Sequence, residues 1–195
     1  MAKQTKNTLT YAECKKNVLD KLIKPLPLEF LSAFLIILFC GISIGLSTSL
    51  FETRFIILGI IPIVLFSAAI ISVICILAFD IKEIIDVKSD KLLISKDSVI
   101  SLEKGVHTRN PGKLFRMLVT FGRPSSIHRF VNVIHFSQYG SYETREVYTT
   151  SAYSGFDVFD MTTPGEELYI VYLPRKKNNK IYSVYHTNMY EYKGR

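Results

Sequence analysis

Two long runs of apolar residues dominate the first half of the chain. Phe30–Leu50 contains 21 consecutive residues without a charge, Phe55–Phe79 contains 25 more, and only Phe51–Arg54 separates them. At about 1.5 Å of rise per residue, the first run forms a helix of roughly 32 Å, which matches the hydrocarbon thickness of a bilayer. The pattern predicts two transmembrane helices, over residues 28–50 and 55–79, joined by a short external loop at 51–54.

The composition of both runs favours membrane insertion over burial in a soluble core. The first run carries 12 Leu, Ile or Phe residues, and the second carries 17 Leu, Ile, Phe or Val residues. Insertion therefore gains roughly −4 to −7 and −5 to −10 kcal/mol, before deductions for Ser, Thr, Gly and Pro62. Helices that are apolar on all sides belong in large cores or membranes, and about 115 remaining residues are too few to surround two of them.

The basic residues that flank the runs predict the orientation of the hairpin. Lysines precede the first run and follow the second, whereas the connecting loop offers only Arg54. The positive-inside rule therefore predicts a two-span protein of the cell membrane with both termini in the cytoplasm. The three cysteines lie before residue 80, so the remainder of the chain has neither a disulfide framework nor a thiolate zinc site.

Residues 1–27 form a basic N-terminal segment in which Thr8–Lys24 is predicted to be an amphipathic helix. Thr10 and Glu13 have the spacing of a capping box, and Pro25 and Pro27 end the pattern. The apolar stripe leaves two alternatives open. The helix either lies on the membrane surface or packs on the protein's own soluble body. On the membrane, its basic side chains would contact anionic lipid, namely Lys15, Lys16, Lys21 and Lys24.

Small residues recur on one face of each apolar helix. Gly41, Gly45 and Ser49 share a face of the first helix, and Ala68 and Ser72 form a similar pair on the second. Small residues allow close approach of backbones, so these faces form the hairpin seam or a dimer contact, unless their spacing is chance. Both runs lack Asp, Glu, Lys, Arg and His, which disfavours an ion or proton path.

After a connector at residues 80–90, the sequence changes to short β-branched and aromatic runs separated by turn residues. This texture predicts a small, antiparallel, mostly-β cytoplasmic domain over residues 91–195, either a barrel or a sandwich. Lys113–Phe121 is compatible with a helix or a strand. The predicted strands are Leu92–Ser95, Val99–Glu103, Phe130–Gln138, Glu143–Thr150, Phe156–Phe159, Leu168–Leu173 and Lys180–His186, with hairpin turns at Gln138–Ser141 and Pro174–Asn179.

No arrangement of residues in this domain has the spacing of a catalytic or metal site. The four histidines do not form a zinc-binding motif, and motifs for a serine nucleophile or a phosphate-binding glycine loop are missing. The acidic pairs Asp157/Asp160 and Glu166/Glu167 are typical of solvated turns. The sequence therefore predicts no catalytic residue, no metal and no cofactor.

A block of positive charge is the clearest asymmetry in the domain. Between Glu103 and Glu143 no acidic residue occurs, while the basic residues are Lys104, Arg109, Lys113, Arg116, Arg123 and Arg129. Such a block is either a solvated face or a contact for anionic lipid or an acidic protein partner. Binding to nucleic acid is disfavoured because no recognised motif accompanies the charge.

These features predict a non-enzymatic integral membrane protein. Its cytoplasmic β domain would bind a protein partner or membrane assembly, as an accessory, regulatory or scaffold subunit. One alternative is a membrane-bound enzyme acting on lipid or peptide, with His107, His128 or His135 as a base. Another is a pore or scaffold that self-associates through Gly41 and Gly45. The arrangement is typical of small bacterial membrane proteins, but this likeness depends on architecture and not on a motif.

Overall fold

A computed structural model describes residues 6–48, 56–109, 128–146, 158–176 and 178–194. The described residues belong to two compact units. One unit contains the apolar helices between Leu22 and Ile84. The other contains a β domain made from the described residues up to Lys21, from Ile85 to Arg109 and from His128 onward. Residues 6–21 of the predicted N-terminal segment therefore belong to the same unit as the β strands.

Three α-helices occupy the first half of the described chain: α1 is Tyr11–Ile23, α2 is Leu26–Thr48 and α3 is Ile56–Lys88. Helices α2 and α3 match the two predicted apolar helices. Helix α3 continues through the connector as one element and ends before Asp90, whose φ of 58° is left-handed. Aspartate tolerates this conformation better than most residues do, which makes it suitable for ending a helix.

The described part of the β domain contains seven strands. They are β1 Asn7–Leu9, β2 Leu93–Arg109, β3 His128–Phe136, β4 Ser141–Glu146, β5 Glu167–Leu173, β6 Lys180–His186 and β7 Tyr190–Tyr192. Five of them form an antiparallel sheet in the order β4-β3-β2-β5-β6. The first part of β2, up to Ser98, pairs with β5, and the rest pairs with β3. Because one long strand serves both halves, the sheet curls into a half-barrel.

One face of the half-barrel carries the main apolar core. Its largest fully buried side chains are Ile134, Leu168 and Ile170, each 0% exposed. Strand β5 is also buried on its other face, where Tyr169, Val171 and Leu173 are less than a tenth exposed. A strand that is covered on both sides explains the uninterrupted apolar sequence Leu168–Leu173.

The two ends of the described chain meet in a short parallel pairing. Strand β1 pairs with β7, with Asn7 opposite Tyr190 and Leu9 opposite Tyr192. The Asn7 amide donates a 2.8 Å hydrogen bond to the Met189 carbonyl. This pairing draws α1 onto the β domain, where Cys14 and Val18 are 1% and 0% exposed.

Two predictions for the strands were wrong. Leu92–Ser95 and Val99–Glu103 are parts of one strand, β2, because Lys96, Asp97 and Ser98 continue the ladder with β5. Val158–Met161 is a short 3-10 helix where a strand was predicted at Phe156–Phe159, and Phe159 packs into the core. The predictions for Lys113–Phe121 and for residues 147–150 fall outside the described residues.

Candidate functional site

The apolar helices present most of their hydrophobic side chains outward. Both are long and apolar enough to cross a membrane by length and composition. In the most apolar 18-residue segment of each stretch, only 22% is buried for the stretch that contains α2 and only 6% for α3. Phe79 is 72% exposed and Leu46 is 68% exposed. Such surfaces on a soluble protein mark contact with lipid or with another protein.

Hydroxyl groups on the apolar helices donate to their own backbone. The Ser32 hydroxyl bonds the Leu28 carbonyl at 2.8 Å, and the Ser72 hydroxyl bonds the Ala68 carbonyl at 2.8 Å. The same pattern occurs at Ser43, Ser47 and Thr48. A hydroxyl that is bonded within its own helix does not require water, so these residues are compatible with an apolar solvent.

The contact between α2 and α3 is made by apolar side chains of mixed size. Ala33 and Val73 are buried together, with Ile36, Ile37 and Leu77 packed around them. The Phe39 and Phe66 rings meet edge to face, with their centroids 6.1 Å apart. This packing is the seam of the hairpin.

The predicted small-residue faces lie away from that seam. Gly41, Gly45, Ala68 and Ser72 are exposed, and a Cβ built on either glycine meets nothing within 4 Å. The contact between α2 and α3 that is centred on Ala33 and Val73 does not include these residues. The dimer interpretation stays a prediction, and Ser49 lies outside the described residues.

The lysines of the N-terminal segment divide into two groups. Lys15 pairs with Asp90 at 2.7 Å and also donates to the Lys88 carbonyl at 2.9 Å. Lys21 reaches strand β6, as described below. Lys16 and Lys24 are exposed. Helix α1 therefore packs on the β domain. Contact with anionic lipid stays a prediction for the exposed Lys16 and Lys24.

Lys21 binds at an irregularity in β6. Ser183 pairs with Val171 and Ile181 pairs with Tyr172, so Tyr182 is an extra residue in the ladder. The Lys21 ammonium donates to the Tyr182 carbonyl and to the Ser183 hydroxyl, both at 3.2 Å. Partial burial lowers the pKa of Lys21. The side chain thus supplies a donor where a bulge interrupts strand pairing.

The block of positive charge is described only at its two ends. Lys104 is exposed on β2, and Arg109 and Arg129 lie in the paired strands β2 and β3. Lys113, Arg116 and Arg123 lie outside the described residues. Lipid or partner contact by these six residues stays a prediction.

Asp97 is the centre of a buried, hydrogen-bonded polar site in the described β domain. The residue is 5% exposed, and its carboxylate accepts a hydrogen bond from the Ser137 hydroxyl. It also accepts from the Ser98 and Gln138 amides, each at 2.8 Å. A fourth bond comes from the Tyr139 amide at 3.2 Å. Burial raises the pKa of Asp97, but the four hydrogen bonds outweigh burial and lower it below its ordinary value. This carboxylate ties β2 to the β3–β4 turn, and no sequence signal pointed to it.

The two described histidine side chains have different polar neighbours. His186 is buried, with its Nε2 3.3 Å from the Thr162 hydroxyl, which in turn donates to the Val158 carbonyl. Because that hydroxyl's proton is committed to the carbonyl, the His186 Nε2–H donates to it. His135 lies 3.4 Å from Glu103 on the sheet. The side chains of His107 and His128 fall outside the described ones.

Two open cavities occur at the surface of the described β domain. One, of about 490 Å³, is lined by residues at the start of α1 together with Asp90 and Lys193. The other, of about 450 Å³, lies between β4 and β6 and is lined by residues such as Glu143 and Lys180. Among the described residues, no group of three or more His, Cys, Asp or Glu side chains has the geometry to hold a metal ion.

In comparisons with known proteins, no family model, no curated sequence and no solved structure matches this chain.

Proposed function

We propose that this chain is a two-span integral membrane protein of the cell membrane, with both termini in the cytoplasm. Its β domain is a non-enzymatic module that binds a protein partner or membrane assembly, as an accessory, regulatory or scaffold subunit. The observation that carries the proposal is the exposure of the apolar helices. In the most apolar 18-residue segment of α3, only 6% is buried. Water is a poor solvent for that surface, whereas lipid is a good one.

The boundary between apolar and charged residues supports this proposal. Ala33 on α2 packs against Val73 on α3. Ala33 lies about one turn from Glu29, and Val73 lies about two turns from Asp80. In an antiparallel hairpin, this register brings the first charged residues of the two helices to about the same level. From Phe30 to the end of α2 at Thr48 the helix rises about 28 Å, close to the hydrocarbon thickness of a bilayer.

Depth-dependent fluorescence quenching tests the insertion. The chain contains no tryptophan, so a single substituted tryptophan reports its own surroundings. We expect Phe39→Trp and Leu65→Trp, in phosphatidylcholine vesicles, to be quenched by brominated acyl chains and shielded from aqueous iodide. Tyr142→Trp in the β domain serves as the control and should show the opposite response. Iodide quenching of both helix reporters without quenching by bromine would refute insertion.

Partner binding requires a separate experiment on the full chain. Crosslinking in native membranes, followed by purification in mild detergent, should recover a companion protein at a fixed stoichiometry. The sequence has no recognised catalytic motif, which supports a binding role over the alternative of an enzyme acting on lipid or peptide. Recovery of the chain alone, without any companion or second copy, would contradict this part of the proposal.

Self-association through α2 is a second candidate because Gly41 and Gly45 are exposed on a helix face that the hairpin seam does not use. Small residues on a free face allow two helices to approach closely. Gly41→Leu and Gly45→Leu should then reduce dimer formation in lipid, whereas Ile42→Leu should not. A monomeric wild-type protein would rule this candidate out.

A further inference from the structure

Charges at the polar end of the hairpin are sorted by sign. Between Leu22 and Ile84, the described acidic residues are shielded from solvent: Glu29 is 4% exposed, Glu83 is 7% exposed, and Asp80 is half-buried. The described basic residues of the same stretch, Lys24 and Lys82, are both exposed. The sequence does not show this arrangement, because acidic and basic residues alternate along both segments.

Lys24 and Lys82 both lie at the polar end of the hairpin. Lys24 is in the turn that precedes α2, two residues before Leu26, and Lys82 is on α3, half a turn after Asp80. The packing of Ala33 with Val73 and Leu77 sets the register between the helices. Both lysines therefore lie just beyond the apolar section, six residues before the first apolar run begins at Phe30 and three residues after the second ends at Phe79, where the headgroups of a surrounding bilayer would be.

We propose that Lys24 and Lys82 form a contact surface for the phosphate groups of anionic phospholipids. This proposal depends on the membrane insertion proposed above and names the lipid class that the hairpin selects. Exposed apolar side chains next to the lysines, Leu28 at 42% and Ile81 at 39%, provide places for the adjoining parts of the lipid. Long lysine side chains reach from such a position toward the headgroups.

The buried position of the carboxylates is what makes the surface selective. Acidic groups facing the lipid would repel an anionic headgroup and cancel the attraction of the two lysines. Since Glu29 and Glu83 are almost fully removed from the surface, the exposed charges described for the hairpin are positive. Each lysine near the surface is expected to enrich anionic lipid by up to about fivefold, and salt reduces this effect.

The experiment uses the full chain with Phe79→Trp as its reporter, because Phe79 is 72% exposed and lies close to the polar boundary. Two vesicle preparations contain equal amounts of phosphatidylcholine and phosphatidylglycerol, and they differ only in which lipid carries brominated chains. Stronger quenching when phosphatidylglycerol is brominated is the expected result. A Phe30→Trp reporter on α2 repeats the measurement if Phe79→Trp disturbs the fold.

Variants of the chain test whether Lys24 and Lys82, rather than other positive charges, cause the preference for phosphatidylglycerol. In the double variant Lys24→Gln/Lys82→Gln, the reporter tryptophan should be quenched equally in both preparations. In Lys24→Arg/Lys82→Arg, the stronger quenching by brominated phosphatidylglycerol should remain. Lys176→Gln, which also removes an exposed lysine, should leave it unchanged.

Each outcome decides between the proposals. Equal quenching by both brominated lipids in the wild-type protein overturns the lipid-selective surface but leaves membrane insertion intact. A preference that survives in the double glutamine variant assigns the selectivity to other residues and also overturns the proposal. The absence of quenching in both preparations refutes insertion itself.

Discussion

The buried carboxylate of Asp97 in β2 accepts a 2.8 Å hydrogen bond from the backbone amide of Gln138 in the β3–β4 turn. Three further donors, Ser98, Ser137 and Tyr139, complete its coordination. Hydrogen bonds to an ionised acceptor are stronger than those between neutral groups. This carboxylate therefore holds together two segments that are about 40 residues apart in the sequence.

Asp97→Asn is expected to destabilise the β domain by about 1–3 kcal/mol, because the amide cannot accept at all four donors. The measurement is thermal unfolding in detergent, followed by near-ultraviolet circular dichroism of the 11 tyrosines. Asp160→Asn, at an exposed position in the short 3-10 helix, is the control and should stay within about 0.5 kcal/mol of wild type.

The pH dependence of the same pair of proteins provides a second check. The pKa of Asp97 is lower in the folded protein than its ordinary value of 3.8. Its stabilising contribution is therefore present above about pH 4 and is lost as the pH falls through the lowered folded-state pKa. The stability difference between wild type and Asp97→Asn should shrink over this acidic range. A constant difference from pH 7 to pH 3 would contradict the assignment.

Cys14 is expected to be chemically inert in the folded protein. Burial raises the pKa of its thiol to about 11, the nearby Glu13 charge adds to the increase, and a hydrogen bond with Tyr185 opposes it. A two-unit increase lowers the thiolate fraction near neutral pH by about 100-fold. Labelling with iodoacetamide at pH 8, mapped by mass spectrometry, should modify Cys14 only after denaturation. Equal rates in the folded and denatured protein would show that the β domain does not cover this residue.

Lys21→Met should cost about 0.5–1.5 kcal/mol of stability, since it leaves the Tyr182 carbonyl and the Ser183 hydroxyl without the Lys21 donor. Lys16→Met on the exposed face of the same helix removes an equal charge and should change stability little. The unfolding temperatures of the two variants compare the loss of a hydrogen-bonded lysine with the loss of a solvated one. If they melt at the same temperature, the contact of Lys21 with β6 contributes nothing.

Gly105→Ala should destabilise the long strand β2 by about 1–2 kcal/mol. Gly105 has a φ of +62° at an irregularity in the pairing with β3, and its amide donates a 3.1 Å hydrogen bond to the Asn132 side chain. Gly105→Asn should cost less, because asparagine tolerates left-handed backbone. Gly41→Ala is a helical control with open space around it, and it should not destabilise. The order of the three unfolding temperatures is the measurement.

Strands β5 and β6 were predictable because their sequences carry a strong local pattern. The predicted Leu168–Leu173 and Lys180–His186 agree with the observed Glu167–Leu173 and Lys180–His186 to within one residue. The capping box at the start of α1 was equally local: the Glu13 carboxylate accepts from the Thr10 amide at 3.1 Å. Turns such as Gln138–Ser141 follow from the same short-range chemistry.

Elements that depend on distant partners were missed. The break predicted inside β2 came from its polar Lys96–Ser98 stretch, which stays in the strand because the β3–β4 turn binds Asp97. Strands β1 and β7 have three residues each and pair across nearly the whole chain length. A three-residue strand has no periodicity to detect, and its pairing partner is invisible locally.

The sequence by itself determined that two helices are too apolar for water and that a β-rich domain follows them, because hydrophobicity and its period are properties of consecutive residues. The tertiary structure decided which side chains these elements cover. It buried Glu29 and left Lys24 exposed, packed α1 on the β domain, and left Gly41 outside the contact between α2 and α3. Burial depends on which surfaces meet in three dimensions, and no local pattern contains that information.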